Sequence, residues 1–290
     1  MTDLIERIKR SLENPDGCLW MTDLTGDLVE AGWQSLFRKS GLIPSHYGTT
    51  RAVAQDALAP LNVIAQLSTS STIDHFHKPI KVEILDISFA QKYKEAGIKF
   101  YTAEEIGKAD LLCSLQDAIN IVKRIPTLLA TVVALVRSLH LIKPENDDYD
   151  VSFSEPHIPF SIFVSVPQAR STINTLRLAE AIVHEAMHLQ LTLIEKFVPL
   201  VIQTQETFFS PWREECRPIQ GVLHALYVFR VIHQFWELLS PIYSYPTKEL
   251  QYIQLRQEEI NRQINKIRSF QDCSELTMVG ACFVRNLIQN

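Results

Sequence analysis

Residues 171–197 read STINTLRLAEAIVHEAMHLQLTLIEKF, and this stretch predicts one long amphipathic α-helix. Its apolar residues recur every three or four positions, which is the period of one helix face. The apolar stripe consists of Leu176, Ala179, Val183, Met187 and Ile194. Ser171 and Thr172 stand where the helix begins, and a hydroxyl at that position can cap the first turn. A helix of this length favours a fold built mainly of α-helices.

The same helix carries the motif His-Glu-x-x-His at residues 184–188. His184 and His188 lie one turn apart, and side chains at i and i+4 project from the same helix face, so the two imidazoles can bind one cation. Glu180, one turn before His184, can accept the second ring N–H of that histidine, as metal-bound histidines usually require. The alternatives left open are an ordinary pair of helix histidines and an exposed carboxylate at Glu180.

A third metal ligand must come from another part of the chain, and His224 is the leading candidate. It follows a segment that begins like a helix, with Pro218 in the first turn. On such a helix Arg217, Gly221 and His224 share one face. A glycine inside a helix costs about 1 kcal/mol relative to alanine, so Gly221 indicates close approach of a ligand or of a partner helix. The alternative for His224 is a hydrogen-bonded core histidine, and His233, which falls off this face, is predicted to be structural.

The composition also favours helices. The chain has only nine glycines among 290 residues, and helical periodicity extends over much of its length. We expect a mostly α fold, a helical bundle with a small β-sheet as its minor component. Strands are predicted at Lys81–Phe89, where apolar and polar residues alternate, and at Phe160–Val166, where Phe, Ile and Val dominate. The predicted helices lie near residues 2–13, 26–40, 51–67, 103–140, 171–197, 217–240, 247–270 and 274–288.

One segment is typical of a loop or a boundary. Residues 143–150 combine proline with acidic and turn-forming residues. We expect a single domain over residues 1–290, with a helical N-terminal part at 1–150 and a metal-binding catalytic part at 151–290.

The charge balance and the cysteine spacing argue against several classes of protein. Lys and Arg number 28 against 33 Asp and Glu, so the net charge of -5 gives no positive field for nucleic acid or for a membrane surface. The five cysteines show no Cys-x-x-Cys spacing, so neither a disulfide framework nor a thiolate zinc site is indicated. Residues 1–7 lack the features of a signal peptide, and the apolar run at 125–136 is short of the roughly 20 residues that cross a bilayer. We expect a cytoplasmic protein.

Two kinds of chemistry fit a helical His-Glu-x-x-His motif with a distant third ligand. In a zinc peptidase, Glu185 would be the general base that acts on metal-bound water. In an oxygenase, three protein ligands leave three positions open for a bidentate co-substrate and dioxygen. A catalytically silent helical binding protein is the third hypothesis, because residues 1–150 carry no strong motif.

Beyond the motif, the chain resembles the 2-oxoglutarate-dependent His-Glu-x-x-His peptide β-hydroxylases that modify ribosomal peptide natural products. The resemblance is strongest over residues 150–240, and residues 1–150 match only in their general helical character. The matching pieces are residues 178–188, Ser210-Pro211-Trp212-Arg213, Arg217-Pro218, Gly221-Val222-Leu223-His224-Ala225 and Val228-Phe229.

This resemblance implies a zincin-like helix that carries the motif and an iron site. His184, His188 and His224 would bind Fe(II), and Glu185 would be a catalytic group that acts from outside the ligand shell or handles protons. The implied reaction couples oxidative decarboxylation of 2-oxoglutarate to succinate, with O2, to hydroxylation of a side-chain β-carbon. The substrate would be an Asp-like residue of a peptide, with or without a leader segment, and the oligomeric state is left open.

The same resemblance implies a cation for the distal carboxylate of 2-oxoglutarate, and a guanidinium binds a carboxylate in bidentate fashion. Arg217 and Arg213 are the two candidates, and Arg217 is preferred because it shares the predicted helix face of His224. Either arginine could instead form a structural ion pair. Ser210 would line the same pocket, and loop packing is expected for Trp212.

Overall fold

The computed structural model describes residues 2–15, 17–40, 62–67, 80–85, 87–108, 110–146, 150–154, 160–242 and 246–289. These residues form mostly α-helices with a small mixed β-sheet, which confirms the predicted fold class at that level. The helices are α1 (Thr2–Glu13), α2 (Thr22–Ser40), α3 (Ile87–Glu95), α4 (Ala103–Lys108), α5 (Leu111–Val122), α6 (Pro126–Leu135), α7 (Thr172–Glu195), α8 (Ile219–Leu239), α9 (Thr247–Lys266) and α10 (Met278–Gln289). A 3-10 helix follows α9 at Arg268–Asp272. The strands are β1 (Asn62–Leu67), β2 (Ile80–Ile84), β3 (Ser138–Ile142), β4 (Ser152–Ser154), β5 (Ser161–Ser165), β6 (Thr207–Ser210) and β7 (Glu215–Pro218).

The segments with the clearest periodicity have the predicted structure. The helices predicted at 2–13, 171–197 and 247–270 are α1, α7 and α9, the last continued by the 3-10 helix. The strand predicted at Phe160–Val166 is β5. The strand predicted at Lys81–Phe89 is confirmed only in β2, because α3 begins within its second half.

The helix predicted at 51–67 is wrong for its last six residues, which form β1. Two of them, Val63 and Ile64, are β-branched and therefore favour a strand. β1 pairs with β2 in antiparallel fashion, with a register shift between Val63 and Ala65. Residues 51–61 of that prediction lie outside the described part of the chain.

The helix predicted at 103–140 is also wrong, because this stretch forms α4, α5, α6 and then β3. Ile125 has φ −115° and ψ 91°, as expected for a residue that precedes a proline, so a new helix begins at Pro126. β3 is buried at every position. A strand covered on both faces lacks the alternation that would separate it from a buried helix in the sequence.

The chain divides into two compact units. The central unit comprises Val29–Leu189, and the two-segment unit comprises Met1–Leu28 together with Gln190–Asn290. The boundaries fall within α2 and α7. None of the described helices is both long enough and apolar enough to cross a membrane. The single domain with parts at 1–150 and 151–290 stays a prediction.

The central unit is built on a five-stranded sheet in the order β1-β2-β3-β5-β4. β2, β3 and β5 are parallel, and the edge strands β1 and β4 run antiparallel to their neighbours. His140, Phe163 and Phe153 are register partners across β3, β5 and β4, so they share one face of the sheet. The ring of Phe163 stacks on both neighbours at 4.5 and 4.6 Å, and Tyr93 of α3 stacks on Phe153 at 5.4 Å.

The opposite face of this sheet supports α7. Side chains alternate along a strand, so Ser152 of β4 points away from the face that carries Phe153. Its hydroxyl donates a hydrogen bond of 2.7 Å to Oε1 of Glu185 on α7. The sheet of the central unit therefore has an aromatic face against α3 and a face that holds a polar side chain of the predicted metal motif.

In the two-segment unit, a buried polar network joins three segments. The amide of Gln190 donates to the carbonyl of Trp20 and to the hydroxyl of Thr25, both at 2.7 Å. The hydroxyl of Tyr227 lies 2.5 Å from Oε1 of Gln190 and 3.0 Å from the carbonyl oxygen of Leu19. Both oxygens are acceptors, so the single hydroxyl proton serves mainly the closer one. Because buried polar groups are costly when unpaired, this network fixes residues 19–25 against α8.

The start of α10 is set by a cap and a close backbone contact, which is why the helix predicted at 274–288 begins later. The hydroxyl of Thr277 accepts a hydrogen bond of 3.0 Å from the backbone N–H of Gly280. A Cβ added to Gly280 would lie 2.0 Å from the carbonyl oxygen of Leu200, so only glycine fits there. The same oxygen accepts the N–H of Thr277 at 3.0 Å.

Replacing Tyr227 with phenylalanine tests the buried network. The variant Tyr227→Phe keeps the ring, which packs 5.6 Å from that of Phe283, and removes only the hydroxyl. It leaves Oε1 of Gln190 buried without its donor, so we expect the free energy of unfolding to fall by about 1–3 kcal/mol. Urea denaturation measures this loss, and unchanged stability would show that the hydroxyl bond contributes nothing.

The buried His140 makes the stability of the central unit depend on pH. Its Nδ1 lies 3.1 Å from the carbonyl oxygen of Glu83, which can only accept, so Nδ1 carries the proton of a neutral ring. Burial lowers the pKa of His140 from 6.5 to about 4, and the hydrogen bond to Glu83 opposes this shift. Between pH 6.5 and pH 4, His140 binds a proton more tightly in the unfolded chain than in the folded one. The contribution of His140 to the free energy of unfolding should therefore fall by about 3 kcal/mol as the pH drops from 6.5 to 4.

The variant His140→Phe isolates this effect, because phenylalanine can still stack on Phe163 and does not titrate. As the pH falls from 6.5 to 4, we expect the wild type to lose more unfolding free energy than the variant. Denaturation at a series of pH values measures it. Parallel pH curves for the two proteins would contradict the assignment to His140.

Candidate functional site

The predicted metal motif lies in the middle of α7, and the start of this helix is well defined. The hydroxyl of Ser171 accepts the backbone N–H of Asn174 at 3.1 Å, so Ser171 is the N-cap, one of the two predicted candidates. All members of the predicted apolar stripe are fully buried. Burial of this stripe fixes the rotation of the helix about its axis and turns His184 and His188 to a neighbouring, half-buried face.

The structure brings His184 and His188 together. Their Nε2 atoms are 3.1 Å apart, and the rings are 4.8 Å apart between centroids at an angle of 68°. Imidazole nitrogens bind zinc at about 2.0–2.1 Å, and two such bonds to one ion would enclose an angle of roughly 95–102° at this separation. The side chain of His184 is 22% exposed, so an ion can reach it from solvent. The pair therefore fits two adjacent ligands of one cation.

Glu185 is held beside the histidine pair in the central unit. Its side chain is only 2% exposed, and its Oε1 accepts the hydrogen bond from Ser152 and lies 3.8 Å from Nε2 of His184. Burial raises the pKa of Glu185 to about 7, although the bond from Ser152 lowers it. A carboxyl group of this kind can hold or release a proton near neutral pH next to the imidazole pair.

Glu180 is buried on α7, so the alternative of an exposed helix carboxylate is wrong. Its hydrogen bond to the second ring nitrogen of His184 stays a prediction. The sequence did not indicate Ser152, the hydrogen-bond donor to Glu185, because it lies in a three-residue strand without any periodic pattern.

His224 lies on α8 in the two-segment unit, where it has a carboxylate partner. Its Nε2 is 2.8 Å from Oε2 of Glu195, and the amide of Gln220 donates to the same oxygen at 2.9 Å. Both members of the His–Glu pair are largely buried, with side chains 14% and 11% exposed. These contacts correspond to the hydrogen-bonded histidine that was the alternative for His224. Glu195 was not predicted, because its pairing across 29 residues leaves no local signal.

In the described part of the chain, the histidine pair does not belong to a preformed cluster with a third metal-binding side chain. Within the described ranges, no group of three or more His, Cys, Asp or Glu side chains could hold a metal ion. His184 and His188 are thus the part of the predicted site that is assembled. His224 as the third ligand stays a prediction.

Arg217 does not share a helix face with Gly221 and His224, so this part of the prediction is wrong. Arg217 lies in β7, and α8 begins only at Ile219, after Pro218 with φ −50° and ψ 141°. The physical reason is that a residue before proline is disfavoured in the helical conformation. The Arg217 side chain is 48% exposed and pairs with Glu215 at 3.0 Å, as the ion-pair alternative expects.

Gly221 faces open space. No described atom lies within 4 Å of a Cβ built on Gly221, and the residue is exposed. The prediction that Gly221 allows close packing by a partner helix is therefore wrong. Approach by a ligand is the explanation that stays a prediction.

The β6–β7 hairpin carries the other predicted binding residues. Ser210 is buried at the end of β6, and its carbonyl accepts the backbone N–H of Arg213 at 3.2 Å in the turn. Trp212 stacks on Phe229 with centroids 5.2 Å apart, which confirms its packing role. Its indole N–H is nevertheless buried and has no hydrogen-bond partner in the described part of the molecule. An unpaired buried donor of this kind marks a place for an acceptor.

Metal binding by the histidine pair can be measured directly. We expect the purified chain to bind one equivalent of Zn²⁺ or of Fe(II) under anaerobic conditions. The variants His184→Ala and His188→Ala each remove a ligand, so the affinity should fall by at least about 100-fold. His224→Ala tests the third ligand and should cause a similar loss.

His233→Ala is the matched control, because His233 is a half-buried histidine on α8 that bonds Asn261 instead of another histidine. Its metal affinity should equal that of the wild type. Competition against a chromophoric chelator gives the constants. Equal affinity in wild type and His188→Ala would show that the pair does not bind metal.

Two comparisons with known proteins assign no role to these side chains. No protein-family model and no curated protein matches the chain. The function must follow from the side chains themselves, with the His184–His188 pair and the buried Glu185 as its central features.

Proposed function

We propose that the chain is an Fe(II)- and 2-oxoglutarate-dependent dioxygenase that hydroxylates a side-chain β-carbon of a peptide. The observation that carries this proposal is the close approach of the Nε2 atoms of His184 and His188 at 3.1 Å on one helix. The proposal takes His224 as the third ligand, α7 as a zincin-like helix, and the cytoplasm as the location. The substrate is an Asp-like residue of a peptide, with or without a leader segment.

The histidine separation supports a metal without selecting it. With bonds of about 2.1 Å, an octahedral angle would place the two nitrogens about 3.0 Å apart and a tetrahedral angle about 3.4 Å apart. The observed 3.1 Å is compatible with either. The choice of iron follows from the similarity of the motif and of the Trp-Arg, Arg-Pro and Gly-x-x-His pieces to the peptide β-hydroxylases.

The burial of Glu185 favours the oxygenase over the peptidase. A general base in a peptidase must reach a water molecule that also faces the substrate, and a side chain that is 2% exposed is poorly placed for this task. Its bond from Ser152 suits a residue that orients the imidazoles and holds a proton beside them.

The two hairpin arginines supply the cation that 2-oxoglutarate requires. Arg213 and Arg217 are both exposed, and a guanidinium can exchange an exposed carboxylate such as that of Glu215 for a ligand carboxylate at little cost. The unpaired indole N–H of Trp212 offers a further donor on the same hairpin. Arg217 is retained as the first candidate and Arg213 as the second, and Ser210, the last residue of β6, is retained as a residue that lines the same pocket.

The reaction balances in atoms and electrons. One dioxygen, one 2-oxoglutarate and one C–H bond give succinate, carbon dioxide and a C–OH bond, with one oxygen atom entering each of succinate and the alcohol. When bound, iron supplies the oxidising chemistry. The residues of the chain hold the ion, bind the co-substrate carboxylate and exclude water.

A zinc peptidase is the second candidate, and one observation favours it. Oε1 of Glu185 lies 3.8 Å from Nε2 of His184, and the pKa of this carboxyl, raised by burial to about 7, is in the range of a general base. In that case Glu185→Gln would abolish peptide cleavage.

Succinate formation tests the proposed function. Iron-loaded protein with 2-oxoglutarate, O2 and a library of Asp-containing peptides should release succinate, and His184→Ala should release none above background. Arg217→Gln should raise the KM for 2-oxoglutarate by at least about 10-fold through loss of a charged hydrogen bond, and Arg213→Gln should raise it less. The opposite order would assign the co-substrate to Arg213.

The same preparations separate the alternatives. Zinc-loaded protein that cleaves peptides, with cleavage lost in Glu185→Gln, would replace the oxygenase by the peptidase. Tight metal binding without either activity would leave a metal-binding protein that is catalytically silent. Iron-loaded protein that consumes no 2-oxoglutarate with any peptide would overturn the hydroxylase.

A further inference from the structure

A large cavity lies in the central unit, at one edge of the five-stranded sheet. Its volume is about 580 Å³, within the range of about 300–1,000 Å³ that is usual for the sites of small molecules. Ile84, the last residue of β2, and Lys143, directly after β3, both line it. Because β2 and β3 are parallel neighbours, the cavity lies at the carboxyl ends of both strands. In sheets with parallel strands, this edge is a common place for a ligand.

The walls of this cavity are mainly apolar. Aliphatic side chains come from the end of β2, from α3 and from the segment between α3 and α4, and Phe100 adds an aromatic ring. Ala90, Ile98 and Phe100 are only partly buried, although they pack against the core cluster that contains Phe163. A ligand that covers the remaining apolar surface therefore gains about fourfold in affinity for each CH2 group that it buries.

Two lysines stand side by side at this cavity. Phe100 and Ile142 form an antiparallel bridge, and the backbone N–H of Lys143 donates to the carbonyl of Lys99 at 2.8 Å. Lys99 and Lys143 are therefore opposite each other, and their side chains leave the backbone on the same side with Cβ atoms about 5 Å apart. Tyr101 faces this side too, and Nζ of Lys143 lies 5.9 Å from the centroid of its ring. Like charges in opposite positions repel each other, so this place favours negative groups.

Each of the two lysines has a glutamate partner, and both ion pairs are accessible to solvent. Nζ of Lys143 is 2.5 Å from Oε1 of Glu105, with both side chains 37% exposed. Nζ of Lys99 is 3.6 Å from Oε1 of Glu145, with side chains 61% and 54% exposed. Exposed ion pairs contribute little stability, and an ammonium group has three donors. A carboxylate from solution can thus join or replace either glutamate at small cost, and neither lysine has to be unpaired for an anion to bind.

We propose that this cavity binds a medium-chain aliphatic carboxylate. The alkyl chain lies against the apolar walls, and each carboxylate oxygen accepts a hydrogen bond from one of the ammonium groups of Lys99 and Lys143. Among the described residues that line the cavity, three are lysines and one, Glu105, is acidic, so the described lining favours an anion over a cation. An apolar chain with one charged end matches both the walls and the lysine pair. This inference does not depend on the proposed function.

Isothermal titration calorimetry of the full chain with octanoate, in a buffer free of other carboxylates, tests the proposal. We expect one octanoate to bind per chain. Hexanoate is two CH2 groups shorter and should bind about 15-fold more weakly. 1-Octanol keeps the alkyl chain without the charge and should bind at least about 10-fold more weakly than octanoate, and octylamine should bind more weakly still. Equal affinity for octanoate and 1-octanol, or for octanoate and octylamine, would overturn the site.

Two lysine variants test the polar end of the site. Lys99→Gln removes an exposed charge, so the Kd for octanoate should rise about threefold to fivefold, while the Kd for 1-octanol stays the same. Lys143→Gln should raise the Kd for octanoate about 10-fold, and Lys99→Gln keeps the test valid if this second variant fails to fold. Lys92→Gln is the matched control, because Lys92 is an exposed lysine of α3 outside the described lining, and it should leave both constants unchanged.

The variant Glu105→Gln should have the opposite effect. It removes the carboxylate that competes for Lys143, so octanoate should bind about twofold to fivefold more tightly. Oε2 of Glu105 accepts the backbone N–H of Thr102 at 2.9 Å at the start of α4, and glutamine can accept the same bond, so the helix cap is retained. Weaker binding of octanoate by Glu105→Gln, or unchanged affinity in the lysine variants, would overturn the site.

Discussion

The rotation of α7 about its own axis is the constraint from which the candidate site follows. Each residue of an α-helix turns the chain by about 100°, so burial of the apolar stripe determines where every other side chain points. The stripe from Leu176 to Met187 is fully buried. His184 and His188 then share a half-buried face, and Glu185, the next residue after His184, turns toward β4 of the sheet. The apolar residues thus orient the polar ones without touching a ligand.

Where periodicity is present in the sequence, the structure could be predicted, and α1, α7 and α9 are the clearest cases. β3 could not be predicted, because a strand buried on both faces and a buried helix segment have the same apolar composition. The prediction that Arg217 and His224 share a helix face was wrong for a local reason, since Pro218 keeps the residue before it out of the helix. Ser152 and Glu195 were missed because their partners lie 33 and 29 residues away.

Three buried ionisable side chains show how the fold handles the cost of desolvation in different ways. His140 stays neutral, with one ring nitrogen bonded to a backbone carbonyl. Glu185 has a hydroxyl partner from the sheet, which keeps a carboxyl group in place beside the histidine pair. Arg230 keeps its charge at any ordinary pH, and its Nε is buried with no hydrogen-bond partner in the described part of the chain.

The role of Glu185 decides between the two chemistries considered for the metal, and its surroundings bear on that role. The same oxygen, Oε1, accepts the bond from Ser152 and approaches Nε2 of His184. A general base needs a free lone pair directed at an exposed water, whereas a group that orients a ligand needs fixed geometry and exclusion from solvent. A side chain with 2% exposure and a partner on β4 meets the second requirement and not the first. The packing of α7 on the sheet is therefore the argument by which the proposed function prefers an oxygenase to a peptidase.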